Sequence, residues 1–132
     1  MKKPLMLILA VGILIGVAGC ASHELQLKLS GAKMLNQVEL EQLFYADRVA
    51  EFSSPEGSAT VTYYPDGRQD IEWKNGKDSG SFRIENDEFC STWTRLRNGL
   101  ESCSKIYRID AREYEFVSPD GEYAASMHLK LN

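Results

Sequence analysis

Apolar and polar positions follow three rhythms along this chain. Near the N-terminus, Lys2 and Lys3 precede an apolar run from Leu5 to Val17. Around Leu40, Leu43 and Phe44 the apolar positions recur at helical spacing and fall on one side. From Ser58 onward the pattern switches to period two, rich in aromatic and β-branched residues, which predicts β-strands.

The helical stretch carries its own start signal. Asn36 is an N-cap residue with Glu39 three positions on, the spacing of a capping box, and Leu35 and Leu40 occupy the hydrophobic-staple positions. A helix is predicted from Gln37 to Ala46, with its apolar side laid on the sheet. Ahead of it, Leu25, Leu27 and Leu29 alternate with Gln26 and Lys28, a pattern that suits either a half-buried edge strand or a plain tether.

Seven strands are predicted: residues 59–64, 69–73, 80–84, 89–94, 104–109, 114–117 and 123–131. Turn signals separate them at Pro65-Asp66-Gly67, Asn75-Gly76, Asn86-Asp87, Asn98-Gly99, Asp110-Ala111 and Pro119-Asp120-Gly121. Their spacing predicts a mainly β fold: an antiparallel meander forming a small barrel or strongly curved sheet, preceded by one short helix.

The apolar N-terminal run is roughly 13 residues long, the length of a secretory h-region and short of a membrane span. The segment Val17-Ala18-Gly19-Cys20 resembles the lipobox of bacterial lipoproteins. That resemblance implies a signal peptide over residues 1–19, acylation of Cys20, and attachment to the membrane through the lipid. Ala21 follows where enteric lipoproteins retained in the inner membrane carry aspartate, which implies the outer membrane, facing the periplasm. The expected organisation is a leader (1–19), a lipidated tether (20–34) and one β-rich domain (35–132).

Export changes the charge and cysteine balance. The whole chain has 15 basic and 19 acidic residues; without Lys2 and Lys3 its net charge goes from −4 to −6. Phosphate-backbone binding needs clustered cations, so nucleic acid is not an expected partner. With Cys20 acylated, Cys90 and Cys103 form an even pair in an oxidising compartment, and a disulfide is expected. A tight turn at Asn98-Gly99 would set Cys103 opposite Thr94 and separate the cysteines. Cross-strand bonding instead requires pairing centred near Leu96-Arg97, with a longer, charged loop from Arg95 to Leu100.

Candidate chemistry is sparse. His23 and His128 are far apart in sequence and no Gly-x-Ser-x-Gly elbow is present, so a nucleophilic triad is not predicted. Asp66, Asp87 and Asp120 fall in turns, where aspartate serves the backbone. Two cysteines with two distant histidines make a poor zinc set, and no calcium loop or nucleotide motif is present. No cofactor, metal or enzymatic activity is expected.

The order Asp66-Gly67, Gly80-x-Phe82, Cys90-x-x-Trp93, Cys103-x-x-Ile106-Tyr107, Asp120-Gly121 resembles an uncharacterised family of small secreted bacterial proteins, whose pattern often has tryptophan at the position of Phe82. That resemblance implies an all-β body with one disulfide. Ser79-Gly80-Ser81-Phe82 is similar to the Ser-Gly-x-x-Tyr loop of membrane-bound lysozyme inhibitors, with Phe82 in place of the tyrosine. The leading expectation is a lipid-anchored envelope protein with a non-catalytic binding or structural role. One alternative is a carrier or sensor of a small apolar ligand, held in a barrel lined by Trp73, Trp93 and Tyr107. A further alternative is a periplasmic lysozyme-inhibitor-like protein.

Overall fold

The computed structural model describes residues 22–130; the expected leader over residues 1–19 and the expected acylation site Cys20 lie outside them. Helix α1 spans His23–Leu29, strand β1 Lys33–Met34 and helix α2 Gln37–Phe44. Eight strands follow: β2 Arg48–Ser54, β3 Gly57–Tyr63, β4 Arg68–Trp73, β5 Gly76–Glu85, β6 Glu88–Trp93, β7 Ser102–Arg108, β8 Glu113–Val117 and β9 Tyr123–Leu129. All pairings are antiparallel; β2 to β9 pair in chain order and β9 returns to β2, so these strands close into an eight-stranded up-and-down barrel. Closure removes the exposed edges that an open meander would leave. β6 covers only Ser102 to Ser104 of β7, and β1 pairs with Tyr107 and Arg108 on the same edge.

The predicted meander is present, with two differences. Arg48–Ser54 is a strand that the period-two pattern did not mark. Its inward positions are Ala50 and Phe52, alanine is a weak strand former, and it follows the helix without a Gly or Pro boundary. The leucine-alternating connector is neither edge strand nor tether but the helix α1. Ser22 caps it by accepting from the Leu25 N–H, and only Leu27 is buried.

Helix α2 starts where its capping box predicts. The Asn36 side chain accepts from the Glu39 N–H, and the Glu39 carboxylate accepts from the Asn36 N–H. It ends at Phe44, two residues before the predicted Ala46, and Arg48 Nε donates to the Leu43 carbonyl at 3.1 Å. Leu40, Leu43 and Phe44 are buried against the barrel interior, closing the end at which β2 begins.

Inward positions fill the barrel with aromatic rings. Phe44 lies 4.4 Å from Phe89 and 4.9 Å from Tyr63 between ring centroids, and Phe82 stacks on Phe89 at 5.4 Å. Such pairs contribute about 0.5–1.5 kcal/mol each beyond the area they bury. Gly80 is needed where β5 and β6 approach: a Cβ there would sit 2.0 Å from the Thr92 carbonyl oxygen.

Cys90 and Cys103 are directly opposed and joined by a disulfide. Pairing is centred between Leu96 and Arg97, as the longer loop requires, and Asn98-Gly99 lies inside that loop. Arg97 and Asn98 both adopt positive φ, 54° and 55°. The loop is held from below by Asp78, whose carboxylate accepts from the Ser79, Arg95 and Leu96 N–H groups, each at 2.9 Å. These bonds, that from Leu96 foremost, hold the Asp78 carboxyl below its ordinary pKa.

Candidate functional site

The three aromatics proposed as a ligand lining are not on one surface. Trp93 projects inward from β6, opposite Gly80, and is buried. Trp73 also faces inward but lies half-buried at the β4–β5 hairpin. Its ring folds over Gly76, where a Cβ would come within 2.8 Å. Tyr107 projects from the outer face of β7 and is covered by α1, where its hydroxyl donates to the Glu24 carboxylate at 2.5 Å. The stretch Ser79-Gly80-Ser81-Phe82, read as a loop, lies within β5, and Phe82 is in the core.

The interior carries few polar groups. Gln69 is fully buried; its Nε2 donates to the Ser81 carbonyl, while its Oε1 has no partner among the described residues. At the end opposite α2, Leu96 packs on the core and Arg97 donates to the Ser91 hydroxyl at 2.9 Å. Desolvation lowers the pKa of this guanidinium. Glu88 stands beside Cys90 and Cys103, but the disulfide leaves no thiolate there to bind a metal.

Room for a partner lies on the outer wall. A groove of about 710 Å³ runs over β4, β3, β2, β9 and β8. Strand register builds it: Glu72, Thr60, Glu51, His128 and Glu113 stand side by side on five adjacent strands, because each is the direct partner of the next. Ser53, Ser58 and Ser126 flank this row. His128 bonds Glu113 through Nδ1, and Lys130 reaches Glu51 at 3.2 Å. Trp73 and Lys74 also line it, so three carboxylates and a set of hydroxyls outweigh the cations there and make a polar, net acidic surface suited to cationic groups and polyols.

Helix α1 sits on the outer face of β7 and β8. Its polar side is bonded at four points: His23 Nε2 to Glu115 at 2.7 Å, Glu24 to Lys105 at 3.3 Å, Glu24 to Tyr107, and the Glu24 N–H to the Gly121 carbonyl at 3.0 Å. The Tyr107 hydrogen bond, with Lys105 beside it, holds the Glu24 carboxyl below its ordinary pKa, while burial and that same carboxylate push the Tyr107 phenol up.

The groove row is absent from the sequence reading because its members are spread over strands far apart in the chain. Outward positions are visible once a strand is assigned; which of them align depends on register. No protein-family model, no curated protein and no solved structure matches this chain.

Proposed function

We propose that this chain is a lipid-anchored protein of the cell envelope, held by Cys20 on the periplasmic side of the outer membrane, that binds a protein or envelope component on the outside of its barrel. The observation that carries the second half is the contrast between a ring-filled interior and an open acidic groove on the wall. A carrier needs space where Phe44, Phe82, Phe89 and Phe116 stand; an external binder does not. The acceptor-rich row from Glu72 to Glu113 favours a partner presenting cations or sugar hydroxyls.

A photo-crosslinker at Thr60 in whole cells tests this. The reading expects a discrete adduct that disappears with Glu51→Lys plus Glu72→Lys and survives Glu85→Lys, an outward change on β5 beyond the groove. An adduct indifferent to the groove charges would contradict it. The acidic groove also keeps the lysozyme-inhibitor reading in view, since it would face a basic enzyme; unchanged lysis with this protein at molar excess removes that reading.

A further inference from the structure

Helix α1 is apolar on the wrong side for a helix packed on a soluble barrel. Taking 100° per residue, its inward direction is set by His23, Glu24 and Leu27, all of which touch the barrel. The opposite pole is occupied by Leu25 and Leu29, one helical turn apart, and these are 46% and 79% exposed. Lys28 and Gln26 flank that pole on either side. Water is expected to meet polar residues there.

The position of this pole in the chain says what covers it. The cap of α1 is Ser22, two residues after Cys20, so the anchor and the helix are separated by at most about 7 Å of extended chain. We infer that the Leu25–Leu29 face of α1 lies in the headgroup and acyl boundary of the bilayer that holds Cys20, orienting the barrel with its β7–β8 wall toward the membrane. This rests on the proposed acylation of Cys20. Because α1 is bonded to β7, β8 and Gly121 rather than free, the anchor then positions the barrel as a body, not as a bead on a string. The groove runs from β8 round to β4, so its Glu113 end borders the α1 wall, while its Thr60–Glu72 end lies on the far side of the barrel and is left facing the periplasm.

The test uses the full-length acylated protein reconstituted into phosphatidylethanolamine and phosphatidylglycerol vesicles. Tryptophan is introduced as Leu29→Trp or, as a control on α2, Val38→Trp, at a site that is 58% exposed. Emission from Trp73 and Trp93 is subtracted using the parent protein. With brominated acyl chains, Leu29→Trp is expected to lose emission about twofold, as a face sunk to the acyl boundary should, while Val38→Trp keeps its emission. An acylated, vesicle-bound protein in which Leu29→Trp is not quenched overturns the inference and leaves anchoring intact. If such a protein also crosslinks to itself through position 29, the face belongs to a second copy. Quenching at both positions overturns it as well, because the barrel would then have no fixed orientation. A mass spectrum of the same sample without acyl chains on Cys20 contradicts the anchoring reading itself.

Discussion

The two helices are nearly equal in length, seven and eight residues, and each starts on a side-chain cap, yet they are held by a different balance of apolar burial and polar bonds. α2 drives Leu40, Leu43 and Phe44 into the barrel, and Gln37 at its start adds hydrogen bonds to Asp87 and to the Ile84 carbonyl. α1 commits one leucine, Leu27, to a small cluster with Tyr107 and Val117, and is otherwise held by charged and polar bonds. Apolar burial is indifferent to pH and shared with the whole core, so α2 belongs to the cooperative unit. Polar bonds at a surface are local and titratable, so α1 can loosen while the barrel stands.

The largest way to break this contrast is in the core. Phe44→Ala is expected to lower unfolding free energy by about 3–5 kcal/mol in urea titrations, and all strands should lose protection together. Leu27→Ala should cost about 2 kcal/mol, at the low end for a leucine, with faster amide exchange confined to α1 and β1. Equal global losses from the two substitutions would erase the distinction.

The caps give a smaller version of the same test. Asn36→Ala removes half of a capping box on α2 and should cost about 1 kcal/mol of global stability. Ser22→Ala should leave the urea midpoint unchanged and show only as easier proteolysis within α1.

Acid separates the helices without mutation. The folded-state pKa of Glu24 lies below its ordinary value, so its bonds to Tyr107 and Lys105 contribute fully above the ordinary carboxylate range and fade as pH falls through the depressed value. Exchange of the α1 amides should therefore accelerate as pH drops below about 4.5, relative to the intrinsic rate, and Glu24→Gln should flatten that dependence. The outward pole is expected to matter little as well: Leu29→Glu should change stability by no more than about 0.5 kcal/mol, since the site is exposed.

The same contrast marks what was legible in the residues. α2 could be read because its signals are local: Asn36, Glu39 and the Leu40-Leu43-Phe44 stripe all lie within nine residues. α1 was not, because Leu25, Leu27 and Leu29 alternate as a strand would; the alternation here places Leu27 against the barrel and the other two away from it. The disulfide loop was legible from the cysteine spacing once a tight Asn98-Gly99 turn was seen to misalign Cys90 and Cys103. β2 was hidden by the weak signal of Ala50, and the groove by its dependence on register across five strands. Tyr107 looked like a barrel-lining aromatic, but parity along β7 turns it outward under α1.

The most direct test of the central claim is a native mass spectrum of the full-length protein extracted gently from its own membrane, followed by a denaturing spectrum of the same sample. The account predicts acyl chains on Cys20, an intact Cys90–Cys103 bond, and the same protein mass before and after denaturation apart from surface lipid. An unmodified Cys20, or a stoichiometric small molecule released only on unfolding, would contradict it.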